Sequence, residues 1–481
     1  MKTREYDIER NVGFSVLTET AKELIHRAAI EILETIGMRV SGERTLAKFA
    51  ERGLFPDKDG LIFIPRKLVG WALSTVPHEI TLYDIAGNER IKLDNSNRVY
   101  FGTHADQLEI VDYKTNRTRR YSLRDVELMC KLASNLENID FVLSVGLPDD
   151  VPSGVQSQVS FIETCKYMQK TINFSTNTVE ALQEIIDIAA VIAGGHDKLA
   201  EKPFIFNYCE PIPPLTHPVE STEKLFVSAE NRIPCVYMPY CMMGGTAPLD
   251  RPATLAQCFA EILAGLVISQ MAHPGAPFIL GSMPSIMDMK TTIGSYAAPE
   301  FHLMIAASSE MSDYYNLPFY GTAACSDART IDPQSMSEIS YELMTTMLSK
   351  ANLVHDVGVL DHCNSVSPAA VVLANEMISS YKSFSRGVVI GSRDDIDLDL
   401  IRDVGHGKHH MMEENTLTRF REVWYPEIFS RAMVNKDESD ILERAAAKID
   451  GIMARNPGSK LPPETLDYLN ATQKMYLDSV G

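Results

Sequence analysis

Apolar residues fall along this chain in short runs closed by Gly, Pro or polar side chains, and between the runs the apolar positions recur at helical spacing. The runs are VYFGTH (99–104), FVLSVGLP (141–148), TINFST (171–176), PFIFNYCEP (203–211), PCVYMPYC (234–241), PFILGSMP (277–284), PFYGTAAC (318–325) and LVHDVGVLDH (353–362). Helical periodicity covers residues such as 123–136, 179–192, 253–271 and 335–348. Strands that alternate with helices pair in parallel through right-handed crossovers. Eight such units predict a closed (β/α)8 TIM barrel. An open dinucleotide fold would place G-x-G-x-x-G after the first strand, and none stands there; GGTAPLDRP after the fifth run is too poor in glycine for a phosphate cradle.

The flanks read differently. Residues 1–97 form an α+β extension with an amphipathic helix over 18–36, carrying Leu24, Ala28, Ile32 and Leu33 on one side, and a hairpin in EITLYDIAGNERIKL that turns at Gly87 and Asn88. A second hairpin, LEIVDYKTNRTRRYS, interrupts the first unit of the barrel, which spans 98–385. Residues 386–481 are charged and helical, as expected of a segment that covers a barrel end or joins subunits of a homo-oligomer.

Composition narrows the partners. A formal charge of -19, spread along 481 residues, leaves no basic stripe for a nucleic acid. The longest apolar stretches, such as LAGLVISQM, fall short of the roughly 20 residues a membrane span needs. MKTREYDIER carries charges where a signal peptide is apolar, so a cytoplasmic protein is expected. Eight cysteines without a C-x-x-C pair predict reduced thiols rather than a disulfide framework.

Barrels of this kind carry their chemistry on the loops that follow the strands. His104, Tyr208, Glu210, Tyr240, Tyr320, Asp327, Arg329, Thr330, Asp361 and His362 stand at the late ends of the runs. His355 and Asp356 fall early in the last run and are assigned structural roles. The late-end set is acidic and aromatic, with one guanidinium and no nucleophile beside a base. Tyrosine faces and carboxylates suit an organic cation, because the ring quadrupole attracts a quaternary ammonium by about 0.5 to 2 kcal/mol per contact. Arg329 would grip a carboxylate at the other end of a zwitterion. For each residue the alternative is a core tyrosine or a charge paired with its neighbour.

GSMPSIMDMKTTIGSYAAPE (281–300), GGTAPLDRPATLAQ (244–257), SDARTIDPQ (326–334) and ENTLTRFREVWYPEIFSR (414–431) resemble the trimethylamine methyltransferase family, with similar spacing from about residue 12 to residue 431. The resemblance implies a (β/α)8 barrel that moves a methyl group from a methylated amine to the cobalt of a separate corrinoid protein. In the family's trimethylamine branch the loop similar to SDARTIDPQ carries pyrrolysine; here Thr330 or an immediate neighbour takes that place. The chain thus resembles the branch without pyrrolysine, which implies a quaternary amine such as glycine betaine, proline betaine or carnitine as substrate.

The chemistry agrees with that difference. A quaternary ammonium is already cationic and leaves as a neutral tertiary amine, so no side chain is needed as acid or base, and its nitrogen has no lone pair for a metal. The protein's task is to orient the C–N bond and exclude water. On this reading Tyr208, Tyr240 and Tyr320 enclose the cation, Glu210 or Asp361 stands near it, Arg329 or His362 meets a carboxylate, His104 completes the pocket, and Asp327 and Thr330 serve in positioning. No D-x-H-x-x-G is present, so the cobalamin is expected on a partner protein and none is held permanently by this chain. Two rivals use the same rim. One is a zinc-dependent thiol or alcohol methyltransferase with ligands from Cys209, Cys241, Cys325 and Cys363; the other is a betaine-binding protein without catalysis. HGKHHMMEEN (406–415) matches no standard metal spacing and reads as an exposed turn.

Overall fold

The computed structural model describes residues 12–431, 439–455 and 459–480, apart from single positions 95, 97, 105, 389 and 391. Eight strands close into a barrel: β1 (Tyr100–Thr103), β2 (Phe141–Leu143), β3 (Thr171–Phe174), β4 (Ile205–Cys209), β5 (Cys235–Tyr237), β6 (Phe278–Gly281), β7 (Phe319–Thr322) and β8 (Leu353–His355). Each pairs in parallel with the next, and β8 returns to β1. Every one of the eight apolar runs therefore contributes its strand.

The helices between them start where the sequence supplies caps. Ser122 and Asp125 form a capping box at α1 (Leu123–Asn135). Helices α2 (Gln156–Tyr167) and α3 (Val179–Ala193) follow, the latter capped by Thr178. Then come α4 (Val219–Glu230), α5 (Arg251–Ala272, capped by Asp250) and α6 (Pro299–Tyr315). Asp332 caps α7 (Pro333–Ser349) and Ser367 caps α8 (Pro368–Ser385), each with proline in the first turn, where a missing N–H costs nothing. These caps fix where each strand-tip loop ends. By length and composition α5 would pass for a membrane span, but 94% of its apolar window is buried inside the protein.

The barrel is filled by aromatic side chains. Phe141, Phe206 and Tyr320 meet with ring centroids 5.6, 6.1 and 6.2 Å apart. Gly102 on β1 admits this packing, since a β-carbon there would overlap the Phe141 ring.

Before the barrel, helix Glu19–Glu31 runs on into a wider turn to Ile36. The hairpin Ile80–Tyr83/Glu89–Leu93 touches the starts of the barrel strands: the Thr171 hydroxyl donates to the Tyr83 carbonyl at 2.7 Å, and the Tyr83 amide donates to Pro203 at 2.9 Å. It closes the bottom. The second hairpin, Glu109–Asp112/Arg117–Arg120, lies at the opposite end and joins Val359–Leu360 and Ser365–Val366 in a four-stranded sheet. The last apolar run is therefore not one strand. It breaks after His355, because Asp356 (φ 73°) and Gly358 (φ 88°) turn the chain through left-handed conformations, and Gly358 packs too closely on Val371 for a side chain.

Candidate active site

The break after His355 reverses one expectation from the sequence. His355 ends β8 and Asp356 follows it, so both stand at the C-terminal mouth of the barrel, where they line a cavity of about 340 Å³. The cavity takes Asp106 from the β1 loop, Ser175 and Thr176 from β3, and Tyr208 and Glu210 from β4. Lys224 of α4, Met283 and Tyr296 after β6, and Cys363 after β8 also line it.

Backbone strain concentrates here. His104, Asp106, Ser144, Ala324, Asp356, Asp361, His362 and Cys363 all have positive φ, and all follow the tips of β1, β2, β7 or β8. A left-handed non-glycine residue costs on the order of 1 kcal/mol and persists where its surroundings hold it in place.

The SDARTIDPQ loop supplies much of that hold. Glu342 of α7 accepts the Cys325 amide. One turn away, Glu338 accepts the Ser326 hydroxyl at 2.5 Å and the Asp327 amide at 3.1 Å. Asp327 then braces its neighbours: its carboxylate accepts Ser295 Oγ at 2.5 Å and the Tyr296 amide at 2.9 Å, and His362 Nδ1 lies 3.1 Å away. It thereby joins the loop that carries Tyr296 to the turn that carries Cys363. Thr330 is half-buried on the same loop, outside the cavity lining.

Other predicted residues fall into three groups. Tyr208 and Glu210 line the cavity, with the Tyr208 hydroxyl donating to the Glu210 carboxylate. Tyr240 and Tyr320 stand behind it. The Tyr240 ring stacks on Tyr296 at 6.1 Å and its hydroxyl donates to Ser285 at 3.1 Å. Tyr320 is fully buried one layer down, its hydroxyl 2.7 Å from Asn173 Oδ1 and its ring 6.0 Å from Tyr208 and 4.8 Å from His355. Of the three tyrosines expected to enclose a cation, Tyr208 lines the cavity and Tyr240 and Tyr320 do not; Tyr296 lines it as well. Arg329, Asp361, His362 and His104 are not in the lining. The Arg329 side chain is 74% exposed and lies 3.7 Å from Asp361. His104 is buried with neither ring nitrogen partnered, edge-on to Tyr121, and burial drives its pKa down to about 3.

Burial also sets the cavity's electrostatics. It raises the Glu210 carboxyl to about 7, partly opposed by the Tyr208 hydroxyl. Glu210 is itself exposed to solvent at the cavity mouth. Burial raises Asp106 to about 6 against the hydrogen bonds of Ser175 and Ser144. Asp356 is raised too, against the pull of His355 and Thr322; Thr322 Oγ1 donates to its Oδ2 at 2.6 Å, while its buried Oδ1 has no partner. The Cys363 thiol and the Tyr208 and Tyr296 phenols are pushed up by burial and stay neutral. The arrangement offers negative charge and aromatic faces to a cation.

The four cysteines of the zinc reading do not converge. Cys209 and Cys363 touch the cavity, Cys241 packs with Cys258 behind it, and Cys325 is buried in the brace; among the described residues no cluster of three or more His, Cys, Asp or Glu has the geometry to hold a metal. Residues 406–413 form an exposed turn before helix Glu414–Arg419.

Sequence reasoning passed over Asp106, Lys224 and Tyr296 and assigned His355 and Asp356 structural roles, yet all five line the cavity. Tyr296 lies inside the motif GSMPSIMDMKTTIGSYAAPE, and Asp106 two residues past VYFGTH, so both had a signal in the sequence. Lys224, on a helix with ordinary periodicity, had none.

Comparison with known proteins agrees with this geometry. The model of the family described as trimethylamine methyltransferase matches residues 3–475. A trimethylamine methyltransferase of Desulfitobacterium hafniense (strain DSM 10664 / DCB-2) is 27% identical over 98% of this chain and 97% of its own. A glycine betaine methyltransferase of Desulfitobacterium hafniense (strain Y51) is 27% identical over 94% of this chain and 95% of its own. Among solved structures, the monomethylamine methyltransferase of Methanosarcina barkeri superposes with a TM-score of 0.55 at 10% identity, covering 99% of this chain and 90% of that one, which is a likeness of fold. The chain is a methyltransferase and belongs to the trimethylamine methyltransferase family.

Proposed function

We propose that this methyltransferase takes its methyl group from a quaternary amine of the betaine type, such as glycine betaine, proline betaine or carnitine, and passes it to a corrinoid carried by a separate protein. The observation that carries the reading is the strand-tip cavity whose lining combines Asp106, Glu210 and Asp356 with Tyr208 and Tyr296. A relative of similar length is a glycine betaine methyltransferase, which supports the substrate class.

The cavity's donors suit the chemistry. A quaternary nitrogen has no N–H to satisfy, so it asks for diffuse negative potential, which ring faces and partly charged carboxyls supply. Positive charge disappears from the substrate as its methyl group leaves, and a fully ionised, tightly paired site would stabilise the ground state instead. Glu210 and Asp106, raised to about 7 and about 6 by burial, avoid that extreme near neutral pH. Tyr208 and Tyr296 hold the substrate's head, and Asp327 fixes Tyr296 through its backbone amide, so the methyl group is oriented and water excluded. A cobalt(I) corrinoid supplies the nucleophile that accepts the methyl group.

The rim fits a partner that brings this group. Leu108, Ile212, Leu249, Met289 and Ile293 are large apolar side chains exposed on loops after β1, β4, β5 and β6. Exposed apolar residues grouped around one opening mark an interaction surface.

The test is to incubate the purified chain with cob(I)alamin and a panel of amines, and to follow the demethylated amine by proton NMR. A betaine should yield its tertiary amine and trimethylamine should stay unchanged. Turnover of trimethylamine with every quaternary amine inert would overturn the substrate class.

A further inference from the structure

The cavity holds one cation of its own, and its placement says which way a substrate lies. Lys224 is the only lysine or arginine in the lining, and it shares the cavity with three carboxyl groups. Among the described residues, no carboxylate lies within ion-pair distance of its amine, although Lys224 is half-buried. Its one protein acceptor is the Thr176 carbonyl, also in the lining. An ammonium has three donors, so two remain without a protein partner. A lysine kept only as a counter-ion would be drawn onto Glu210 or Asp106; this one is held off them by a backbone carbonyl.

Strand order gives the opposite pole. In a ring running β1 to β8, β4 faces β8 across the mouth. Lys224 and Thr176 belong to the β3–β4 side, on α4 and just after β3. Asp356, with its unpartnered buried oxygen, and Cys363 belong to the β8 side. One wall thus presents an ammonium with donors to spare and the other a carboxylate oxygen without a partner. Asp106 and Glu210 on the same side are each engaged by a hydroxyl, from Ser175 and from Tyr208 respectively, and neither takes the Lys224 amine.

We propose that Lys224 receives the anionic end of the substrate, so that a zwitterion lies across the barrel mouth with its carboxylate at the β3–β4 wall and its quaternary ammonium among Tyr208, Tyr296 and Asp356. This rests on the betaine reading and deepens it: the group that selects the substrate's carboxylate is Lys224 rather than Arg329, which lies outside the cavity.

Calorimetric titration of the full chain with glycine betaine, proline betaine and carnitine, against choline and tetramethylammonium, tests it. The unaltered protein should bind at least one of the three betaines more tightly than choline. Lys224→Met should weaken that betaine roughly 10- to 100-fold, the loss expected for a charge-assisted hydrogen bond, and leave choline within about twofold. Lys224→Arg should keep most of the preference, which separates loss of a charge from loss of folding. Equal losses for betaine and choline, an undiminished betaine affinity in Lys224→Met, or a wild-type preference for choline would each overturn the assignment. A protein that binds none of the five would instead overturn the quaternary-amine reading on which it rests.

Discussion

Two sets of carboxylates meet at the barrel mouth, and they are used in opposite ways. Asp327 and Glu338, on the loop after β7 and on α7, spend oxygens on backbone amides and hydroxyls of neighbouring loops. Asp106, Glu210 and Asp356 line the cavity, are raised in pKa by burial, and in Asp356 leave an oxygen with no partner. A carboxylate whose lone pairs are occupied holds geometry. One kept short of partners in a place that disfavours its charge is poised to bind, because a cation entering the cavity repays the desolvation. Proximity to the mouth therefore does not separate the two kinds; an oxygen without a partner in the cavity lining, as in Asp356, does.

The sharpest way to break the contrast is Asp327→Ala. It strands the Tyr296 amide and the Ser295 hydroxyl and frees His362, so both stability and activity should fall. Charge-assisted hydrogen bonds at about 1.5 to 3 kcal/mol each put the stability loss at about 2 to 4 kcal/mol after relaxation. With Tyr296 misplaced, turnover should drop by about two orders of magnitude. Chemical denaturation and amine-release kinetics measure the two; a stable, fully active Asp327→Ala would remove its positioning role.

Asp356→Asn should do the reverse. The amide keeps an acceptor for Thr322 Oγ1 while deleting a buried charge, so stability near pH 8 should hold or rise. Affinity for tetramethylammonium should fall about tenfold, equivalent to about 1.4 kcal/mol. Stability and binding moving in opposite directions is the signature of a poised carboxylate; parallel losses would place Asp356 with the braces.

How much of this contrast is legible in the sequence depends on whether the signal is local. The eight strands and the helix starts are, because apolar runs, Asp-Pro and Ser-Pro caps and helical periodicity act over a few residues. Tyr208 and Glu210 follow from their place at the tip of β4. His355 and Asp356 do not, because the run 353–362 hides a break set by Asp356 in a left-handed conformation that its residue type does not announce. Tyr208 is the fourth of five residues of β4 and reaches the cavity, whereas Tyr320 is the second of four residues of β7 and lies a layer below. Arg329 stands out as the lone guanidinium of a polar loop, and the loop points it to solvent.

A pH series sharpens the comparison from the binding side. The native state keeps protons on Glu210 and Asp106 up to about 7 and about 6, whereas the unfolded chain loses them near pH 4. The folded state thus binds more protons in that window, and these two groups make stability fall as pH rises through it and level off above about 7. Cation affinity should run the other way, rising from about pH 5.5 to 8 as the carboxyls ionise, with protons released on binding. Asp356, Tyr208 and Lys224 face the same space, so Glu210→Gln is needed to isolate the largest share. It should flatten both trends. Urea midpoints and titrations of tetramethylammonium in two buffers of different protonation enthalpy read them out; a binding curve flat with pH in the unaltered protein would mean these carboxyls do not face the ligand.

Arg329→Leu should have the smallest effect, and for that reason it bears on the comparison most directly. The guanidinium is 74% exposed and its contact with Asp361, at 3.7 Å, is a surface pair of the kind worth about 0 to 1 kcal/mol. Asp361 does not need it: its amide is anchored on the Ala328 carbonyl at 2.9 Å, and the turn it opens is closed by the Asn364 amide at 3.0 Å. The substitution should change KM for glycine betaine less than twofold and leave kcat and the denaturation midpoint where they were. A tenfold rise in KM for betaine with choline unaffected would mean that the loop folds inward when substrate binds. Asp327 would then belong to a moving element, and the division between carboxylates that hold and carboxylates that bind would describe only the empty state.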